Sequence, residues 1–499
     1  MTEHYLDRLA RTINENWDQP ALTDFYLTED GSEQDTSRGN HYTYGEMYRE
    51  ILRLGEMFAA LGLQKGDHIA ICAANSAHWA IAYLAIAAYQ GVVVTVLNSQ
   101  PFKDIARQIE FSDAKALFTD AELWNELENH ALPQVKHVIS MDNWHMLRGI
   151  EIPISNFQSP ISNCQFSLRD SDDLAMICFT SGSTGASKGV MLPYRSVSNN
   201  VAQSYSLYPL TSQKNYLSLL PYAHVSGLIG DVLSHLVLGR CVCVLIGAMS
   251  GKYAKKAYDL LSPYMIVCVP QLFRLVFTQK QDGTLLIKNN CGLIFMGGAK
   301  LDAETEQTIM NSSVPLSMIY GQTETGASIS ISPYKQHRVF SSGKIVEGMS
   351  ARIDENGEIL VKGENVMLGY YKDPEATARK IDKDGWLHTG DRGHLDEDGY
   401  LYVEGRLEQD MIVLPNGENI HPEDIERKIN ALPEVKESIV LARDGKLVAI
   451  VVADTDVRRH ILRTVNPELP LYSQLYDVEI TDTPLQKTEK QTIKRYLYK

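Results

Sequence analysis

The stretch FTSGSTGASKG, Phe179 to Gly189, crowds hydroxyls and glycines around a single lysine. It follows the apolar run LAMICF and precedes VMLPYRSVSNNV, which reads as a helix. Glycines let a backbone turn its N–H groups inward around an anion, and serine and threonine hydroxyls add donors. Lys188 supplies one positive charge to a phosphate oxygen. A flexible linker has a similar composition, but the place directly after a buried strand favours an anion cradle. The string is not a Walker A sequence, since Ala-Ser-Lys-Gly follows Gly185. Ser341-Ser-Gly-Lys344 spells SxxK but lacks the companion motifs that would give it meaning.

Outward from this loop, apolar β-rich runs alternate with helical ones: HIAICAA, GVVVTVL, KALFTD, YMIVCVP and CGLIFMGG. That alternation predicts an α/β fold of parallel and mixed sheets covered by helices. The run from Trp79 to Leu97 is long enough to suggest a membrane span, but Gly91 divides it into a buried helix and a buried strand. After about Gly343 the texture changes to short strands and acidic turns, such as IDENGEILV and LDEDGYLYV, which predict antiparallel pairing. The expected division is a large N-terminal domain over 1–404, a hinge at 405–410 and a small mobile α+β domain over 411–499.

The chain has 499 residues, 44% of them hydrophobic and 22% charged, an ordinary soluble balance. Its net charge of -15, with basic residues dispersed, argues against a nucleic-acid partner. A polyanionic ligand must therefore be held by local donors and a cation, because the overall field repels it. Seven cysteines are scattered without a CxxC pair, and Cys241 and Cys243 face the same side of a strand as packing residues. The expected compartment is a reducing cytoplasm. MTEHYLDRLA has two acids and no apolar centre, so it does not read as a signal peptide. Stable membrane insertion is not expected; the short C-terminal IKRYLYK offers weak peripheral contact with anionic lipid at most. Oligomeric state leaves no sign in the sequence.

TSGSTGASKG resembles the phosphate loop of the adenylate-forming superfamily of acyl-CoA synthetases, luciferases and peptide-synthetase adenylation domains. Further blocks follow in the family's order and cover nearly the whole chain: GGAKL from Gly297, YGQTE from Tyr320, TGD at Thr389 to Asp391, Gly405-Arg406, and GENIHPEDIE from Gly417. The resemblance implies ATP, Mg2+ and CoA as cofactor, metal and acceptor, with a small carboxylic acid as substrate. Thr180, Ser181, Gly182, Ser183, Thr184, Gly185 and Lys188 would then hold the β- and γ-phosphates. Thr323 would reach the α-phosphate, and Glu324 would hold the metal, which is satisfied by one carboxylate plus phosphate oxygens. Tyr320 and Gly321 would border the adenine, with Gly297, Gly298 and Ala299 on its other side. Asp391 and Arg406 would bind the ribose hydroxyls, since a carboxylate accepts two vicinal donors well. Gly417 would let a pantetheine arm pass. His224, in LPYAHVSGL, reads either as a gate beside the acyl pocket or as a satisfied interior histidine.

One block departs from the pattern. The family's KTxSGKI-like string is here KTEKQTI, Lys487 to Ile493, which puts Thr492 where the adenylation lysine stands. A threonine cannot bring positive charge to the attacking carboxylate and the α-phosphate. Either Lys490 reaches in through an altered loop, or the chain is a degenerate relative that binds nucleotide without activating acids. NSAHWAIAYLAI, VLPNGENIHPEDIE and the C-terminal segments look most like bacterial long-chain acyl-CoA synthetases. They favour a medium- to long-chain fatty acid, with an aromatic acid second and carrier-protein pantetheine as an alternative acceptor.

Overall fold

In the computed structural model the described residues are all except 1, 29–32, 36, 131, 151–162, 181–186, 208–213, 248–249, 279–283, 289, 407–411, 414–418, 421, 444–445, 470–472, 488–492, 494 and 499. The chain forms two compact units. The first holds Met1–Arg352, Leu360–His388 and Leu395–Tyr402; the second holds Ile353–Ile359, Thr389–His394 and Val403–Lys499. The fold class is α/β, with mixed sheets and helices in a large N-terminal and a smaller C-terminal part.

The central sheet of the first unit has eight strands. Those at His68–Cys72, Val92–Thr95, Ala116–Thr119, His137–Ser140 and Leu174–Phe179 run parallel, and each is an apolar run with almost no exposure. Such continuous hydrophobicity is what burial on both faces requires. The helix Ala77–Ala88 feeds the strand Val92–Thr95, so the long apolar run is core. Ser76 caps the helix by accepting from Trp79 N. Among the described residues no helix is long and apolar enough to cross a membrane.

The segment after the glycine-rich loop departs from the sequence expectation. Gly189–Pro193 is a strand, antiparallel to Leu174–Phe179, and the helix Tyr194–Leu207 begins only after it. The loop therefore joins two strands and is not followed directly by a helix N-terminus. A short strand, Gly369–Tyr370, adds to the far side of Gly189–Pro193 and extends the sheet edge.

A second sheet sets Met265–Cys268, Leu293–Met296 and Leu316–Tyr320 side by side and parallel, followed by the antiparallel strands Ser330–Ile331 and Lys344–Ile345. A third contains Asn215–Ser218, Cys241–Leu245, Pro20–Phe25 and His41–Thr43. All seven cysteines are free and buried; Cys241 and Cys243 share one face of their strand, with sulfurs 4.0 Å apart.

In the second unit, strands Glu437–Arg443 and Lys446–Val452 pair antiparallel, and Asp477–Thr481 joins parallel to the latter. Ile425 and Ile429, four apart on the helix Pro422–Asn430, enter a core with Val440, Ala449 and Val478.

Candidate active site

Parallel strands expose their following loops at one edge, where α/β sheets gather ligands. Two of the expected motifs emerge there from neighbouring strands. Leu293–Met296 runs into Gly297-Gly298-Ala299, and Leu316–Tyr320 runs into Gly321 and the turn Thr323–Thr325. Glycine is obligatory at Gly297, where a Cβ would come 2.1 Å from Ile319 Cγ2. At Gly321 a Cβ would come 1.9 Å from the carbonyl oxygen of Ala327. Gly297 is buried, while Gly298 and Ala299 are exposed and Tyr320 is half-buried.

The glycine-rich loop is fastened at its root. Thr180 N donates to Lys188 O at 3.0 Å, and Ser187 Oγ donates to Thr180 O at 2.6 Å. Ser181, Gly182, Ser183, Thr184 and Gly185 lie outside the described residues. Thr180 and Lys188 are half-buried. The Lys188 ammonium sits 4.9 Å from the centre of the Tyr370 ring, within cation–π range. The Tyr370 hydroxyl donates to Glu324 Oε1 at 2.7 Å. The structure thus brings the phosphate-loop lysine and the expected metal acid together on one tyrosine.

Glu324 stands on a single turn whose backbone is closed internally. Thr325 N and Gly326 N donate to Gln322 O and Thr323 O, and Gln322 N donates to Thr325 Oγ1. A buried amide network from the helix Tyr194–Leu207 supports this turn from below. Asn200 Nδ2 donates to Thr325 O at 3.1 Å, and its Oδ1 accepts from Ser328 N and Oγ at 2.9 and 2.6 Å. Asn365 Nδ2 donates to Ser328 O, and Asn199 Nδ2 to Asn365 Oδ1. Fully satisfied buried polar networks of this kind fix one arrangement of their backbone.

The Glu324 carboxylate fits a magnesium ion in partnership with phosphate. One oxygen is taken by Tyr370 and the other has no partner among the described residues. No cluster of three or more His, Cys, Asp or Glu that could hold a metal occurs among those residues. Magnesium commonly keeps waters and substrate phosphates alongside one or two carboxylates.

His224 lies in the turn after Asn215–Ser218, half-buried. The preceding carbonyl, Ala223 O, accepts from Thr95 Oγ1 at 3.0 Å and Cys178 Sγ at 3.3 Å. Cys178 is two residues before Thr180, so His224 is held near the root of the phosphate loop. Asp231, fully buried, pins the same LLPYAH segment. It accepts from Tyr216 OH, Ser218 Oγ, Leu219 N and Leu220 N at 2.8 to 3.0 Å. Burial pushes its carboxyl up to about 7 against the pull of those four donors.

Asp391 and Arg406 belong to the second unit and pair with each other, Arg406 Nε to Asp391 Oδ1 at 2.9 Å. Arg406 also donates to Thr389 O, and Asp391 N donates to Thr389 Oγ1. Asp391 is buried and Arg406 exposed. Lys490, Thr492, Gly417 and residues 407–410 of the expected hinge at 405–410 lie outside the described residues. Around the first of these, Lys487 and Ile493 form a β-bridge, and Lys487 pairs with Glu437.

Sequence reasoning missed Tyr370 and Asn200. GYYKDP held the first, but nothing in it says which tyrosine faces the site. SVSNNV held the second, where paired asparagines inside a helix were a signal, since such residues are unfavourable there without partners.

Comparison with known proteins bears on the family and the fold. A family model described as AMP-binding enzyme matches residues 9–371. A methyl-dioxo-octahydroindenyl-propanoyl:CoA ligase of Rhodococcus jostii is 30% identical over 442 residues, 80% of each chain. A 2-succinylbenzoate–CoA ligase of a Geobacillus strain is 29% identical over 418 residues, covering 81% of this chain and 80% of the relative. Among solved structures, the o-succinylbenzoate coenzyme A synthetase of Bacillus subtilis with ATP and magnesium superposes with a TM-score of 0.79 at 24% identity, over 98% of both chains. With the phosphate loop, the GGA and YGQTE turns and the acid Glu324 in their expected order, the chain belongs to the AMP-binding enzymes, the adenylate-forming superfamily.

Proposed function

We propose that this protein is an AMP-forming acid–CoA ligase. An oxygen of the substrate carboxylate attacks the α-phosphorus of ATP, and the bond to the bridging oxygen breaks with pyrophosphate leaving. The thiol sulfur of CoA then attacks the acyl carbon, its proton is lost, and the bond to AMP breaks. A free carboxylate resists the thiol because its charge repels nucleophiles and it has no good leaving group; the mixed anhydride removes both obstacles. Such chemistry asks the protein chiefly for positioning and charge neutralisation. The observation that carries the reading is the meeting of Lys188 and Glu324 at Tyr370, where a cation and a half-free carboxylate serve a triphosphate.

Lys188 and the Thr180 end of the loop hold the outer phosphates, and Glu324 would hold magnesium. Magnesium, when bound, neutralises phosphate charge in the ground state and in the transition state. Tyr320 and the Gly297–Ala299 turn border the adenine, Asp391 and Arg406 bind the ribose, and His224 stands by the carboxylate of the acid. Residues 411–499 act as the mobile domain that exchanges the adenylation and thiol-transfer arrangements.

For the acid, the named relatives favour ring-bearing carboxylic acids, and this is the class we place first. The medium- to long-chain fatty acid suggested by the terminal segments is the second reading. Pyrophosphate exchange over a panel of graded alkyl, aryl and fused-ring acids separates them, and exchange confined to fatty acids would overturn the order. A comparison of CoA with a carrier-bound pantetheine fixes the acceptor.

The substitution at Thr492 favours one further reading, a nucleotide-binding relative that has lost adenylation. It is excluded by exchange with any acid at millimolar ATP and Mg2+, and supported if none reacts. Lys490→Ala is expected to abolish adenylation while sparing thioester formation from supplied acyl adenylate. Unchanged adenylation would remove Lys490 from the mechanism.

A further inference from the structure

Tyr370 touches the two charged groups of the triphosphate site at once, yet the ion pair those groups could make is absent. Its ring faces the Lys188 ammonium and its hydroxyl donates to Glu324. Among the described residues no carboxylate lies in ion-pair contact with Lys188. A direct pair would satisfy both groups before nucleotide arrives, and each would then have to be broken free for phosphate and metal. A phenol between them solves this, because the π face takes a cation weakly and the O–H takes one carboxylate oxygen.

The tyrosine is also held firmly enough to act as a spacer. It is buried, and its backbone N donates to Thr377 Oγ1 at 2.8 Å. Tyr370 pairs with Val190 on one side, and Tyr371 N donates to Gly189 O at 2.7 Å. Tyr371 OH and the Lys372 ammonium both reach Asp113, each at 2.8 Å. Met367 N donates to Glu324 O, tying the segment just before that strand to the turn that carries the acid. Gly369, at φ +142°, lets the chain pass where a Cβ would lie 2.6 Å from Thr377 Cγ2.

We propose that Tyr370 is a positioning residue that keeps Lys188 and Glu324 apart and aimed, one at the outer phosphates and the other at the metal. This rests on the proposed assignment of Glu324 to magnesium. The site then presents two separated charges of opposite sign instead of a neutral pair.

The test is calorimetric ATP binding to the full-length protein with saturating Mg2+ and with EDTA, so that no turnover is needed. Tyr370→Phe keeps the ring and loses the hydroxyl. It is expected to leave the EDTA affinity within about twofold and to cut the Mg2+-linked gain in affinity about tenfold, the scale of one charge-assisted hydrogen bond. Tyr370→Leu removes the spacer, and its EDTA affinity is expected to fall about tenfold as Lys188 pairs with Glu324. The double variant Tyr370→Leu/Glu324→Gln is expected to recover that loss, which a merely structural role would not produce. An unchanged Mg2+-linked gain in Tyr370→Phe overturns the proposal, as does a double variant no better than Tyr370→Leu. If the leucine variants do not fold, the phenylalanine result decides alone. Glu324→Gln separates the two levels of argument. Should it retain the full Mg2+-linked gain, the metal assignment itself fails; should it lose the gain while Tyr370→Phe keeps it, only the spacer fails.

Discussion

Replacing Asn200 with alanine tests whether the amide network beneath the Glu324 turn does more than fill space. The substitution removes a donor to Thr325 O and an acceptor for Ser328 N and Oγ. Ser328 Oγ keeps a contact with Asn365 Nδ2, at 3.4 Å, but Thr325 O and Ser328 N lose their partners at 0% and 2% residue exposure. Each buried backbone group left unmatched costs about 1–3 kcal/mol, and water entering the vacated space lowers the sum, so a loss of roughly 3 kcal/mol is expected. Urea unfolding of the first unit, followed separately from the second because a two-unit chain need not unfold in one step, measures it. The turn carrying Glu324 would also loosen, and a displacement of about 1 Å at a reacting group costs on the order of a hundredfold in rate. Adenylation should fall by that order, while thioester formation from supplied acyl adenylate should change little. A variant within about 1 kcal/mol of wild type, with full adenylation, would refute the claim that Asn200 positions the metal acid.

Two further substitutions probe the same unit. Gly321→Ala would set a methyl 1.9 Å from Ala327 O, a backbone atom that cannot step aside. It is expected to cost more than about 3 kcal/mol and to abolish ATP binding, both read by thermal unfolding with and without nucleotide. Asp231→Asn tests the buried carboxyl, whose folded value of about 7 lies above the ordinary one of 3.8. From about pH 4 to 7 the folded state then holds a proton that the unfolded state has lost, so this group's contribution to stability falls as pH rises. Asparagine keeps an acceptor for Leu219 N and Leu220 N, and the Tyr216 hydroxyl can turn to accept from its NH2. Relative to wild type the variant should therefore gain stability between about pH 4 and 7, by up to about 4 kcal/mol; parallel stability curves would show that the Asp231 carboxyl titrates alike in the folded and unfolded chains.

The alternation of apolar runs made the parallel sheets legible, because LAMICF, HIAIC and LIFM are too apolar and too short for surface helices. VMLP was not legible, since a four-residue apolar run carries no period that separates strand from helix. Its true partner, the strand before the loop, is a tertiary fact. The motifs named Lys188 and Glu324, which the fold brings to one tyrosine, but the spacing of Tyr320, Glu324 and Tyr370 along the chain could not reveal that a phenol from a distant strand would reach the acid. Asp231 was hidden for a related reason: in GLIGDVL it reads as one acid on a helix, and only burial, acting against four donors, raises its proton affinity.

The hairpin root at Thr180 and Lys188 has a further consequence. Phe179 faces Gly189 in the antiparallel register, and strand side chains alternate between the two surfaces of a sheet. Lengthening or shortening the tip between those strands would leave Lys188 on the surface that meets Tyr370. Sliding one strand by a single residue against the other would turn the ammonium to the opposite surface, however faithfully the glycines and hydroxyls were retained. What keeps Lys188 facing Tyr370 is therefore the parity of the ladder beneath the loop as much as the letters within it.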